Sequence, residues 1–377
     1  MKLLVCTSEY FPQGAGIANV VYNVVEQLKE MGVECTVCSP TGPDIKLGSL
    51  TLIQKTGIIG LISYWNQVSH HFKNNDYDAV WLQNPFIISG NPFANCLVTM
   101  HSTYYGSSTR GVGNLPFHLY KSFVAHIERF CLTRMHPDTY FTGVAQTVCE
   151  EMEKIGISRD QITYIPNGAN TSQFFPSTEK EMLRKMLGIP EGEIVLLSVG
   201  RLTAAKQPFT LIKVFSNLES TLKNVTLYIA GTGELFEETK NLAQKMGVKK
   251  VIFLGYVDHD CDLSDYYACS DYYIMTSNYE GLPLTLLEAM ASGLPCIVSD
   301  IPNLRIVKDA NCGIAVEFRS VDKSTNKIID YLNCEHKDHS INARKCIENN
   351  FDWKIIAEEY QKIFYKTNPE NDADNHN

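Results

Sequence analysis

The sequence predicts an α/β protein of two domains, each a parallel sheet covered by helices on both faces. Three observations predict it. The chain has 377 residues, long for one ordinary domain and comfortable for two. Short apolar runs alternate with stretches of helical apolar period, first over residues 2–100 and again from residue 194. Between the two series lie Ile165-Pro166-Asn167-Gly168 and a polar stretch at 170–181, the signature of a connection.

The elements follow in order. Residues 2–7 form a short apolar strand, and 8–16 a loop with Pro12, Gly14 and Gly16. Residues 17–31 place Val20, Val21, Val24, Val25 and Leu28 on one helical face, and Gly32 stops that helix before a strand at 33–39. Further strands fall at 79–83 and 95–100. The second series runs strand 194–199, helix 208–216, strand 225–230 and helix 236–246. It continues with strands at 251–254 and 272–275, a helix at 284–291 and a strand at 295–299. Strands alternating with helices imply parallel pairing and a sheet buried on both faces.

The first domain is placed at 1–165 and the second at 166–351. A helix over 352–366 is expected to pack back on the first, and the polar, acidic tail at 367–377 to be disordered. Two such Rossmann-like domains would present the carboxyl ends of their sheets to a central cleft, where sheets of this kind bind ligands.

Composition narrows the function classes. Hydrophobic residues make up 44% and charged residues 20%, the profile of a chain with real cores. Thirty-three Lys and Arg stand against 42 Asp and Glu, a net charge of −9, which argues against a nucleic-acid binder. No apolar run approaches the ~20 residues needed to span a bilayer. The N-terminus lacks the charged and apolar regions of a secretory leader. A cytoplasmic location is expected, with the inner face of the membrane as the place for any surface contact. Most cysteines sit singly in apolar segments, as at Cys6, Cys96, Cys131 and Cys296. Cys35 and Cys38 lie in an alternating run that sends them to opposite faces, so free thiols are expected.

The strongest chemical signal is Glu280-Gly281-Leu282-Pro283-Leu284-Thr285-Leu286-Leu287-Glu288-Ala289-Met290-Ala291. Two glutamates bracket a loop and the opening of a helix, directly after a strand. Free amides and the positive dipole end at such a helix start suit a diphosphate. A second signal is Gly200-Arg201-Leu202-Thr203-Ala204-Ala205-Lys206, two cations five residues apart after a strand. Fixed cations lower the barrier when a leaving group gains negative charge. A third is Gly231-Thr232-Gly233 at another strand end, where glycines let backbone approach closely.

The chain resembles the retaining glycosyltransferases of family 4, with the GT-B fold, over most of its length. That resemblance implies a metal-independent enzyme moving a sugar from a nucleotide-sugar donor to an acceptor with retention of configuration, in polysaccharide or glycoconjugate assembly. It implies an acceptor side in the N-terminal domain and donor binding in the C-terminal one. Glu280 would lie near the donor sugar, Glu288 on the ribose, and Arg201 and Lys206 on the diphosphate. Gly231, Gly233 and Tyr256 would lie beside the nucleotide, with Gly281, Leu282, Pro283, Leu284 and Thr285 completing the donor site. Gly16 would close over the phosphates, and His101 would contact the donor sugar or the acceptor. The donor is expected to be a UDP- or GDP-sugar, and the acceptor a carbohydrate or lipid-linked glycan. No cofactor and no metal are called for.

The chain departs from the family pattern at Gln207, where glycine is usual, at Pro283, and at Leu304-Arg305, where an acidic residue is usual. Asp76-Tyr77-Asp78 and the acidic run at 258–262 offer oxygen ligands at alternate positions, as a cation would need, but read as a turn and a variable loop. Residues 110–134 combine Arg110, Lys121, Arg129 and Arg134 with Phe117, Leu119, Tyr120, Phe123 and Ile127. Such a helix either faces an anionic membrane or packs on its own domain with a solvated side. Rival readings are a nucleotide-sugar epimerase or phosphorylase on the same fold, or a non-catalytic sugar-nucleotide-binding protein.

Overall fold

The computed structural model describes residues 1–14, 16–109, 115–257 and 263–367, with the side chains of 115–117 and 367 outside that description. Ala15, Arg110, the acidic run at 258–262 and the tail beyond 367 therefore lie outside the described residues. The chain divides into two compact units, Met1–Asn167 with a returning segment from Trp353, and Gly168–Asp352.

The first unit begins with β1 (Lys2–Cys6), α1 (Gly16–Glu30), β2 (Glu34–Ser39) and β3 (Ile45–Lys46). Two helices, α2 (Leu50–Thr56) and α3 (Ile58–His71), precede β4 (Ala79–Gln83) and β5 (Cys96–Met100). Then come α4 (Tyr104–Thr109), α5 (Leu115–Leu132), β6 (Tyr140–Gly143), α6 (Gln146–Ile155) and β7 (Ile162–Tyr164). The seven strands stand in the order β3-β2-β1-β4-β5-β6-β7 and pair in parallel. Every residue of β4 and β5 is buried, which is why both read as mostly apolar runs. Helix α1 turns Val20, Val21, Val24, Val25 and Leu28 into the core, each at 1% exposure or less. Burying each such side chain contributes roughly 1.5–3 kcal/mol.

The second unit opens with α7 (Lys180–Met186), β8 (Ile194–Val199), α8 (Pro208–Thr221), β9 (Val225–Ala230) and α9 (Phe236–Lys245). It continues through β10 (Val251–Gly255), α10 (Leu263–Cys269), β11 (Tyr272–Met275), α11 (Leu284–Ala291) and β12 (Cys296–Ser299). It closes with α12 (Ile306–Asp309), β13 (Gly313–Val316), α13 (Val321–Leu332) and α14 (Lys337–Asn350). Its six strands are parallel in the order β10-β9-β8-β11-β12-β13, the doubly wound arrangement of the first sheet repeated. The final helix, α15 (Trp353–Thr367), packs against α1 and β5 of the first unit. Its Tyr360 ring lies 4.8 Å from that of Trp81.

The eleven described cysteines are free thiols. Cys38 is buried, Cys35 half-buried and Cys334 exposed. Asp78 Oδ2 accepts the Lys2 amide at 2.7 Å, which ties the start of β4 to the start of β1. Among the described residues no group of three His, Cys, Asp or Glu is placed to hold a metal, and no helix is long and apolar enough to cross a membrane.

Candidate active site

Strand order reverses beside the first strand of each sheet, opening a crevice at the strands' carboxyl ends. In the second unit that point lies between β8 and β11, and the strongest sequence signals occupy its two loops. After β8 the chain runs through Gly200, Arg201 and a single 3-10 turn, Ala204–Lys206, into α8. After β11 it runs through Thr276, Ser277 and Glu280 to α11, whose N-cap is Pro283.

The two loops are bound to each other. Asn278 donates its amide to Ala205 O at 2.8 Å, and Thr276 Oγ1 donates to Lys206 O at 3.0 Å. With the backbones fixed, Lys206 Nζ meets Glu280 Oε1 at 2.6 Å. The approach is an ion contact off hydrogen-bond alignment, and Glu280 Oε1 has no hydrogen-bond partner. Gly200, Arg201, Lys206, Thr276 and Ser277 line a small cavity of about 30 Å³. The Ser277 hydroxyl is buried and has no hydrogen-bond partner among the described residues. Arg201 is exposed at the same loop.

Glycine is required where the next loop meets this one. A Cβ on Gly231 would stand 2.1 Å from Gly200 O, and one on Gly233 would stand 2.6 Å from Leu202 O. Their φ angles, 135° and 154°, also favour glycine. The β8 and β9 loops thus pack backbone on backbone, joined by Leu202 N to Thr232 O at 2.9 Å. Gln207, at the position where glycine was expected, takes φ 51°, so the left-handed turn is kept without the glycine. Tyr256, just past β10, is 76% exposed, and its ring is no part of the core.

Three supporting residues were not singled out from sequence. Asn303 Nδ2 donates to Glu280 O at 2.6 Å, from the turn after β12. Tyr267 OH donates to Glu288 Oε2 at 3.0 Å and to Thr285 O at 3.1 Å. Tyr273 OH lies 2.9 Å from Thr285 Oγ1. Burial holds both phenols neutral, raising them well above their ordinary value. Glu288 is buried as well, so one of its oxygens already faces a donor inside the domain. Gly281, Leu282 and Leu284 lie along the loop and first turn of α11, with Leu282 and Pro283 buried.

In the first unit, His101 follows β5 and is buried. Its amide donates to Asn84 Oδ1 at 2.9 Å, and its Nε2 stands 2.8 Å from Gln83 Oε1. With that oxygen as acceptor, Nε2 carries the proton and Nδ1 remains an acceptor. Burial pulls the imidazole down to about 3, so the ring is neutral through ordinary pH. Gly16 opens α1, and a Cβ there would meet nothing within 4 Å. Gly14 is the glycine the fold itself needs, since a Cβ there would stand 2.7 Å from Ala18 Cβ.

Two family descriptions match in tandem, Glycosyltransferase Family 4 over residues 14–173 and Glycosyl transferases group 1 over residues 179–353. The chain belongs to the family 4 glycosyltransferases. This family 4 chain is 29% identical over 241 residues to the UDP-Gal:alpha-D-GlcNAc-diphosphoundecaprenol alpha-1,3-galactosyltransferase of Escherichia coli. That match covers 62% of the chain and 59% of the relative, so less than two thirds of the relative's length is spanned. The crystal structure of WaaG, a glycosyltransferase involved in lipopolysaccharide biosynthesis, is similar with a TM-score of 0.79 at 20% identity. It covers 96% of this chain and 99% of WaaG. HepE of Anabaena, in complex with UDP and glucose, has a TM-score of 0.71 at 15% identity over 97% of this chain and all of HepE. At such identities the two structures establish the fold, which is GT-B.

Proposed function

We propose that the chain moves a sugar from a nucleoside-diphosphate donor to a carbohydrate or lipid-linked acceptor, with retention of anomeric configuration. The observation that carries the reading is the Lys206–Glu280 pair at 2.6 Å, held by bonded loops beside the start of α11. A departing diphosphate gains negative charge as the glycosidic bond breaks. Lys206 and Arg201 supply fixed positive charge for it, together with the free amides at the start of α11. Glu280 supplies a carboxylate for the hydroxyls of the donor sugar, and Tyr256 an exposed ring for the base. His101 enters as a neutral acceptor of a hydroxyl proton, on the donor sugar or on the acceptor.

A UDP-sugar is the favoured donor and a GDP-sugar the next. The E. coli relative is named for a UDP-galactose donor and a diphosphoundecaprenol-linked acceptor, and HepE was solved with UDP and glucose. Both favour a uridine donor, and the E. coli relative's name favours a lipid-linked acceptor.

Thermal unfolding against UDP, GDP and ADP in EDTA tests the proposal. One nucleotide is expected to stabilise the protein, by about 2.7 kcal/mol at a hundred times its Kd. Lys206→Ala should lose that shift and lower transfer by roughly 10²–10³-fold. No shift with any nucleotide sinks the donor site as drawn. Release of hexose phosphate from a glycan by phosphate alone would replace transfer with the phosphorylase reading.

A further inference from the structure

Gln83 closes β4, the only amide side chain in a strand that is buried throughout, and it is itself 1% exposed. Strands β4 and β5 run parallel, with Gln83 opposite Thr99. His101 Nε2 meets Gln83 Oε1 at 2.8 Å. Two residues earlier on each strand, and so on the same face of the sheet, Trp81 Nε1 donates to Thr99 Oγ1 at 2.8 Å. The glutamine–histidine contact therefore stands on a bonded layer of the core.

Gln83 and its neighbour hold His101 at two points. Asn84 takes a left-handed φ of 46°, its amide donates to Thr99 O at 3.0 Å, and its Oδ1 accepts the His101 amide at 2.9 Å. One strand end thus fixes both the backbone and the ring of His101. The other half of the Gln83 carboxamide serves nothing comparable. Its Nε2 is buried with no hydrogen-bond partner among the described residues. An unpaired buried amide costs stability that an apolar side chain of similar size would not. The bond to His101 is what accounts for a glutamine at this place.

Glutamine is also the residue that fixes a proton without charging the ring. A carboxylate at this distance would favour a second proton on the imidazole. An apolar side chain would leave either ring nitrogen free to carry the one proton. The amide oxygen accepts and bears no charge. Burial works in the same direction, pulling the imidazole down to about 3.

We propose that Gln83 is a positioning residue for His101, whose oxygen keeps the ring proton on Nε2 so that Nδ1 meets a ligand only as an acceptor. The group that His101 reads is then a hydroxyl that must donate. A sugar with hydrogen or fluorine in place of that hydroxyl loses the contact equally, because neither can donate. The role in transfer rests on the reaction proposed above, while the position of the proton can be read without any substrate.

Nitrogen-15 NMR of the histidine rings in the full chain reads it, with the His101 signals identified by their loss in His101→Asn. His101 should be neutral with its proton on Nε2 from about pH 5 to 8. In Gln83→Leu the two neutral ring forms should exchange, and kcat/KM should fall about fivefold, one hydrogen bond's net contribution, with nucleotide affinity unchanged. In Gln83→Glu the ring should titrate at a higher pH than in the wild type. There kcat/KM should fall through that titration and recover above it, an acid limb that altered packing alone would not produce. A cooperative unfolding transition shows each variant folded. A wild-type proton on Nδ1 overturns the proposal, as do His101 signals indifferent to Gln83→Leu or wild-type transfer by both variants. No transfer by the wild type would sink the reaction itself and leave the ring signals to decide the role of Gln83.

Discussion

Lys206 and Glu280 meet at 2.6 Å over backbones that are bonded to each other, with the Glu280 side chain buried. Under the proposed function, an incoming diphosphate would draw the lysine from the glutamate and free the carboxylate for the sugar. The placement of Glu280 depends in turn on Asn303, whose amide holds the Glu280 carbonyl at 2.6 Å. Asn303→Ala removes a hydrogen bond that contributes about 0.5–1.5 kcal/mol. Because Asn303 acts through Glu280, kcat should fall several-fold while nucleotide affinity stays unchanged. Steady-state kinetics set beside nucleotide titration check this, and an equal loss of both would make Asn303 merely structural. The glutamates, cations and glycines of the site were legible because motif spacing puts them at strand ends. Asn303, Tyr267 and Tyr273 were not, since each serves the site through a bond from a separate segment that no local pattern announces.

Among the elements, β4, β8, β9, β11 and α11 have the bounds expected from sequence, because each is a buried run with a clear start and stop. The sequence reading leaves out β3, β6, β7 and β13, which have four residues or fewer and lean on neighbours already in place. Two buried groups of the first unit make its stability depend on pH in opposite senses. His101 titrates near 3 in the fold against an ordinary 6.5, so between those values the unfolded chain holds the extra proton. Its contribution is present above 6.5 and lost as pH falls. Glu128 is pushed up by burial to about 7 from an ordinary 4.5, so in that window the folded chain holds the extra proton. Its contribution is present below 4.5 and lost as pH rises. Each slope is about 1.4 kcal/mol per pH unit, and the two cancel where the windows overlap. Across that overlap His101→Gln should make stability fall as pH rises, and Glu128→Gln should make it fall as pH drops. Urea midpoints measured across this range check both. Two variants running parallel to the wild type would show that neither group is buried as described.

For the molecule as a whole, two α/β units with parallel sheets were readable from the alternation of strands and helices. Strand order was not, because order depends on which crossover packs on which face, and side-chain periodicity carries no record of that. The first unit is completed by a segment far away in sequence. Tyr360 on α15 is fully buried against Trp81 and Phe364. Tyr360→Ala should cost about 3–5 kcal/mol, as large aromatic truncations in a core do. Scanning calorimetry should show a lowered transition of the first unit and an unchanged one of the second, and a matching loss in both would mean the two are not separable.

That return of the chain has a consequence for the protein while it is being made. A ribosome finishes the whole of the second unit before it releases the last helix of the first. At synthesis rates of about 5–20 residues per second, the sheet that begins with Lys2 waits roughly ten to forty seconds with the Trp81 side of its core uncovered. The earlier-born half is thus the later to mature, and a nascent chain stalled short of Trp353 would carry a complete second unit beside an unfinished first one open to chaperones.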